Sequence, residues 1–143
     1  MSRLGPKDRD ISFEIFKTYL KPFIDDAFGW DETFQRGGFD TYLHPEWFSW
    51  VHLKGKKVGM VCSEIQESSL YIHLLIVFTK AQRKGIASAI TNKLKEDASN
   101  KELDLTLSCF KTNVVAIELY KKLGFQITSE DEYSYGFTLE FNK

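Results

Sequence analysis

The stretch Leu70-Tyr71-Ile72-His73-Leu74-Leu75-Ile76-Val77-Phe78, with Thr79-Lys80-Ala81-Gln82-Arg83-Lys84-Gly85-Ile86-Ala87 after it, decides how this chain folds. Its first half is apolar except at His73 and is strand-sized, well short of the about 20 residues that cross a membrane. A strand this uniformly apolar has both faces covered. Its second half turns to glycine and cations, and apolar residues then return with a helical period from Lys84 to Ser99. With Ile86 at zero on a wheel of about 100° per residue, Ala87, Ile90, Leu94 and Ala98 fall on one stripe. Leu103 to Phe110 alternates apolar and small polar residues, a second strand. A strand–helix–strand unit of this kind implies a parallel pair or a crossover.

Working outward, Asp10 or Ser12 is placed to cap a helix with Glu14 in its first turn. Phe13, Ile15, Phe16, Tyr19 and Leu20 recur at three- and four-residue steps. Pro22 is expected to kink or end that helix. A second short helix starts at Asp31, carries Phe34 on one face and is expected to end at Gly37-Gly38. Trp47–Leu53 and Val58–Ile65 read as strands joined by the turn Lys54-Gly55-Lys56, and Glu67-Ser68-Ser69 turns into the apolar strand. The first strand is at best Ser2-Arg3-Leu4. Asn113–Leu123 is a helix capped by Thr112 or Asn113 and closed by Gly124. Phe125–Thr128 and Tyr133–Phe141 are closing strands. The short turns imply antiparallel neighbours. The expectation is an α/β (α+β) fold, a mixed, mostly antiparallel central sheet flanked by helices, in one domain over residues 1–143.

Composition narrows the function. Charges nearly cancel at −1, from 19 basic and 20 acidic residues, so no general nucleic-acid surface is expected. The average hides a pattern. Ser68 to Lys95 contains five basic residues and no acid, while Pro22 to Gln35 contains acids and no base. Met1 to Phe16 has no continuous apolar run, so neither a secretory leader nor a membrane partner is expected. Cys62 and Cys109 lie far apart in apolar runs, which reads as two free thiols in a cytoplasmic protein. His44, His52 and His73 have no metal-ligand spacing among themselves or with the cysteines, so no metal is expected.

Gln82-Arg83-Lys84-Gly85-Ile86-Ala87 joins the apolar strand to the start of a helix. Unpaired backbone N–H groups and the positive end of the helix dipole meet there, a ready site for an anion. Gly85 and Ala87 let a ligand approach the backbone closely. Lys80, Arg83 and Lys84 add charge. A solvated basic loop with a glycine for turning is the alternative. The hexapeptide is neither a Walker loop nor a Gly-x-Gly-x-x-Gly dinucleotide loop.

This hexapeptide, placed after a hydrophobic strand, resembles the Q/R-x-x-G-x-G/A acyl-CoA motif of the GNAT N-acetyltransferase superfamily. Asn113 with Ala116, Leu119-Tyr120 and Leu123-Gly124-Phe125 resembles that superfamily's second signature, at matching spacing. Phe28-Gly29-Trp30-Asp31-Glu32 with Gln35 is similar to a subset of small members. The last loop position is Ala87 rather than Gly, Thr79 stands where many members have proline, and Tyr71 stands where histone-acetylating members carry a catalytic Glu. The resemblance implies direct acetyl transfer from acetyl-CoA to an amine, with no covalent enzyme intermediate. It implies that backbone groups of Leu75, Ile76 and Val77 hold the pantetheine and acetyl carbonyl. It further implies that N–H groups from Gln82 to Ala87 cradle the pyrophosphate, that Asn113 helps position CoA, and that Tyr120 protonates the leaving thiolate.

Physical chemistry can be set beside each implied role. On the helix from Asn113, Asn113 and Tyr120 share a face about 10 Å apart. Glu118, Lys121 and Lys122 lie opposite, so Tyr120 points toward the sheet. A core tyrosine is the plain alternative. A phenol near pKa 10 and a thiol near about 8.5 are close to matched for proton transfer. The acceptor amine, with a pKa near about 10.4, must lose a proton. His73, interrupting an apolar strand beside the implied acetyl site, is the candidate base and Glu64 the rival, against a packed core histidine. Trp30, Asp31, Glu32 and Glu64, with Asp25 and Asp26 nearby, are candidates for the acceptor side, where acids attract a cationic amine. For Asp31 and Glu32 a place in a first helical turn is the ordinary alternative. The partner is an unidentified amine acceptor, the protein a monomer or homodimer. A catalytically silent acyl-CoA-binding module on the same fold is the competing function.

Overall fold

Lys54 (φ 52°) and Gly55 (φ 81°) both take the left-handed conformation, the turn that matches the twist of a tight hairpin. That turn joins β2 (Phe48–Leu53) to β3 (Lys56–Ile65), and β3 pairs antiparallel with β4 (Ser69–Val77). In the computed structural model, which describes residues 1–141 of the expected 1–143 domain, these strands sit in a seven-stranded sheet. The others are β1 (Ser2–Arg3), β5 (Asp104–Phe110), β6 (Gln126–Glu130) and β7 (Ser134–Leu139), and the order is β1-β2-β3-β4-β5-β7-β6. Every neighbouring pair is antiparallel except β4 and β5, which are parallel because a helix carries the chain back between them. The expected mixed, mostly antiparallel sheet is therefore present, and the short first strand is real. Ser2 and Arg3 pair with Trp50 and Ser49.

Four helices cover the sheet in two layers. On one face α1 (Arg9–Phe28) and α2 (Glu32–Tyr42) bury Phe13, Phe16, Ile24 and Phe39 against Phe48, Trp50, Met60, Cys62, Leu74 and Ile76. On the other, α3 (Ile86–Asn100) and α4 (Val114–Lys122) bury Ile86, Ile90, Leu94, Ala98 and Tyr120 against Val61, Leu70, Ile72, Leu105, Leu107 and Phe137.

Strand β4 serves both cores by changing faces. Cys62 of β3 stands opposite Leu74 and Ser63 opposite Ile72, so His73 has no residue across from it. His73 is the extra residue of a β-bulge. Before it Leu70 and Ile72 point toward α3, and after it Leu74 and Ile76 point toward α1 and α2. One inserted residue reverses the alternation.

Three helix boundaries differ from the sequence expectation. α1 passes through Pro22 and runs to Phe28, where Gly29 (φ 80°) ends it. Contacts made beyond the proline hold the last turns, with Ile24 buried and Phe23 stacked on Phe110 at 6.1 Å. α2 passes through Gly37-Gly38 to Tyr42. Two glycines cost about 2 kcal/mol relative to alanine in a helix. Burial of Phe39 and the Arg36–Asp40 bond at 2.9 Å, one turn apart, offset it. α1 also starts earlier than either expected cap. Ser12 is buried within it and donates to the Arg9 carbonyl, and Asp10 pairs with Arg36.

Close approach of β3 to β4 depends on Gly59. A Cβ there would overlap the Ile76 carbonyl oxygen and lie 3.4 Å from its carbon. Gly59→Ala is expected to destabilise the protein by about 1–3 kcal/mol, seen as a lower urea midpoint at unchanged slope. An unchanged midpoint would contradict this packing.

Candidate active site

Strands β4 and β5 are paired only from Ser69–Ile72 to Asp104–Leu107. Beyond that point they part, so residues 73–77 keep β3 on one side and have no strand on the other. The direction of each peptide group follows from the ladder. The Phe78 N–H donates to Val58 of the β3 segment, and in an antiparallel ladder alternate residues point to alternate sides. Ile76 therefore faces β3, while Leu75 and Val77 turn their N–H and C=O groups into the gap. Of the three residues expected along the pantetheine, Ile76 alone is turned away, with its side chain in the α1–α2 core. The Val77 carbonyl accepts a hydrogen bond from Gln82 Nε2 at 2.9 Å, which leaves Leu75 and the Val77 N–H for a ligand.

A turn, Thr79–Ala81, leads from the end of β4 to the basic loop. Ala81 and Ile86 are buried and anchor the loop, while Gln82, Arg83, Lys84 and Gly85 are exposed. Arg83 (φ 65°) and Gly85 (φ 74°) are left-handed on either side of Lys84, a pattern that turns successive N–H groups into one concavity. Gly85 is the N-cap of α3 and offers no side-chain cap, so the first N–H groups of the helix, Ile86 and Ala87 among them, have no capping acceptor. This fits a phosphate, and the open edge of β4 fits an extended amide chain leading away from it. Together they suit a pantetheine pyrophosphate such as that of CoA.

Tyr120 is 7% exposed and lies in the α3–α4 core, edge-on to Phe125 at 5.4 Å. No group among the described residues hydrogen-bonds its hydroxyl. Burial pushes its pKa well above that of a free phenol, with Cys109 contributing in the same direction, so the hydroxyl stays protonated. Burial likewise pushes the Cys109 thiol up to about 11. Asn113 caps α4, its Oδ1 accepting from the Ala116 N–H at 3.3 Å.

His73 lies on the opposite side of the sheet, immediately after the last paired residue of β4. Its Nε2 is 2.9 Å from Glu64 Oε1. A carboxylate only accepts, so Nε2 carries the hydrogen and neutral His73 presents its lone pair at Nδ1. Burial raises the Glu64 pKa, and the hydrogen bonds from His73 and Gln66 outweigh that and hold the carboxyl below its ordinary value. The imidazole is sandwiched geometrically. Trp47 stacks on it at 5.2 Å and 6°, and Tyr71 meets it edge-on at 4.7 Å. Tyr71 donates to Ser108 Oγ at 3.1 Å, tying β4 to β5 where they part. Trp47 and Ser108 are not singled out by the sequence, and Tyr71 only as the residue standing at a catalytic Glu position of histone-acetylating members. Their proximity comes from strand register and the bulge, which leave no local pattern.

The remaining acceptor-side candidates are engaged elsewhere. Asp31 caps α2, accepting from the Phe34 N–H at 2.9 Å. Glu32 accepts from Trp30 Nε1 and pairs with Lys17, each at 2.9 Å. Trp30 packs on Phe13 and Phe16. Among the described residues, no hydrogen bond or ring contact joins these three to the Glu64–His73 pair.

Known proteins share this fold. The chain is similar to a PaiA N-acetyltransferase from Thermoplasma acidophilum in complex with coenzyme A, with a TM-score of 0.74 and 14% identity over 97% of this chain and 96% of that one. It is similar to Ard1 from Thermoplasma volcanium, with a TM-score of 0.69 and 21% identity over 99% and 96%. It is also similar to the ribosomal-protein-S18-alanine N-acetyltransferase from Escherichia coli, with a TM-score of 0.70 and 18% identity over 99% and 93%. A search of curated protein sequences returned no match. Residues 13–125 match the Acetyltransferase (GNAT) family model. That span takes in most of α1, the bulged strand, the uncapped loop and Tyr120, and the chain belongs to the GNAT acetyltransferase family.

Proposed function

We propose that the protein transfers an acetyl group directly from acetyl-CoA to a primary amine of a small molecule or protein. The observation that carries this reading is the position of the gap. It begins where Tyr120, with an unbonded hydroxyl on one face, and His73, paired with Glu64 on the other, flank the parting strands. The N–H groups of Leu75 and Val77 and those opening α3 hold the donor, with Lys80, Arg83 and Lys84 adding charge. Acetyl-CoA supplies a thioester that the amine attacks at the carbonyl carbon, with the thiolate as leaving group.

His73 Nδ1 takes the proton the amine gives up, directly or through water. Glu64 orients the ring and stabilises the imidazolium that forms, and the Trp47 stack fixes its plane. Tyr120 gives its proton to the sulfur. Burial makes the phenol a weaker acid, and the same poorly solvated surroundings raise the proton affinity of a thiolate, so the two shifts run together. Because the Glu64 pKa is lowered, its charge is present above the ordinary glutamate pKa. The support it gives His73 disappears only as pH falls through the lowered value. The fold is read as a cytoplasmic protein. Among the described residues no helix is long and apolar enough to cross a membrane.

Three outcomes are expected. Gly85→Ala puts a Cβ on a left-handed residue at the phosphate loop, and should raise the KM for acetyl-CoA several-fold while lowering stability by about 1 kcal/mol. An unchanged KM argues against phosphate binding there. Tyr120→Phe should lower kcat by about 100-fold with acetyl-CoA affinity unchanged; wild-type turnover in a thiol-release assay over a panel of amines removes Tyr120 from the acid role. His73→Ala should lower kcat/KM by a similar factor and flatten its rise with pH. A profile identical in shape to that of wild type assigns the base elsewhere.

A further inference from the structure

Helix α1 reaches both lips of the gap. Tyr19 stacks on Phe78 just past the end of β4, at 6.3 Å and 24°. One turn on, Phe23 stacks on Phe110 at the end of β5. At the first lip the contact is also polar. The Thr79 N–H donates to the Tyr19 hydroxyl at 2.8 Å, and Thr79 Oγ1 lies 3.1 Å from the same oxygen.

Thr79 opens the turn that aims the basic loop. Within that turn the Ala81 N–H donates to Phe78 O and the Gln82 N–H to Thr79 O, at 2.8 and 3.3 Å. The Thr79 N–H stands at the first position of the turn and finds its acceptor in Tyr19, from another layer of the protein. Few other contacts locate the loop. Its exposed residues Gln82 to Gly85 are held by the buried Ala81 and Ile86 and by the Gln82–Val77 hydrogen bond. Thr79 is itself exposed, so water can replace a lost acceptor. Loss of the hydroxyl therefore loosens the loop's aim more than it destabilises the fold.

We propose that Tyr19 is a positioning residue for the cofactor loop, its hydroxyl fixing the start of the Thr79–Ala81 turn and through it the direction of the Gln82–Ala87 N–H groups. This rests on the reading of that loop as the CoA phosphate site. It gives α1 a role in holding the donor that neither loop motif nor helix motif contains.

The test uses the full chain and Tyr19→Phe, which keeps the ring stack and removes the hydroxyl. The KM for acetyl-CoA and the inhibition constant of CoA should rise about 3- to 10-fold, the effect of one hydrogen bond of ordinary strength, with kcat within about twofold of wild type. Pantetheine carries no phosphate, and its inhibition constant should not change. Adding Thr79→Pro should restore most of the CoA affinity. Proline has no N–H to satisfy, and it suits the first position of a turn that follows an extended residue such as Phe78. Equal CoA affinity in wild type and Tyr19→Phe overturns the proposal. So does an equal loss for CoA and pantetheine, or a loss the proline leaves in place, since each assigns Tyr19 to packing of α1. A wild-type protein that does not bind CoA overturns instead the reading of the loop as a phosphate site.

Discussion

Backbone polar groups need partners, and the parting of β4 from β5 after Ile72 and Leu107 leaves a row of them without a strand to pair with, of which Gln82 satisfies the Val77 carbonyl. The rest of the arrangement follows from that break. The ladder on the β3 side determines which groups look into the gap, namely those of Leu75 and Val77. The apolar strand can end at this depth only because both its faces are covered, one by each helical layer. The crossover helix α3 then begins at the far end of the same opening with its own unpaired N–H groups. A single extended molecule with amides along its length and phosphates at its end would satisfy both sets.

Two acid–base groups in one small pocket would perturb each other. Here the sheet separates them. Tyr120 sits in the α3–α4 core, where poor solvation keeps it protonated. His73 sits on the other face among Glu64, Trp47 and Tyr71, where a carboxylate faces one ring nitrogen. The proposed donor of a proton and the proposed acceptor thus have surroundings of opposite character on the two faces of the sheet.

Much of this was legible in the residues because much of it is local. The basic loop, the amphipathic stripe of α3 and the inward direction of Tyr120 depend on neighbours within a few positions. α1 and α2 outlast their expected ends because contacts from elsewhere hold them, Phe110 against Phe23 and the sheet against Phe39. Charge was legible without its engagement. Asp31 and Glu32 read in the sequence either as acids of the acceptor side or as a first helical turn; the turn is what forms, with Asp31 capping the helix and Glu32 bound to Lys17 and Trp30. The bulge had no signature, since a histidine in an apolar run reads alike whether or not a partner stands across from it.

That bulge also determines how the chain tolerates changes of length. Up to Ile72 the even-numbered residues of β4 belong to the α3 core, and from Leu74 onward they belong to the other. Deleting His73 would let Leu74 follow Ile72 in unbroken alternation, still across from Cys62 and with both interiors kept, whereas deleting one residue after Leu74 would exchange the sides of Ile76 and Val77 and turn the peptide groups that line the gap. A codon lost at position 73 would thus remove the imidazole and spare both interiors, and one lost after Leu74 would disturb an interior.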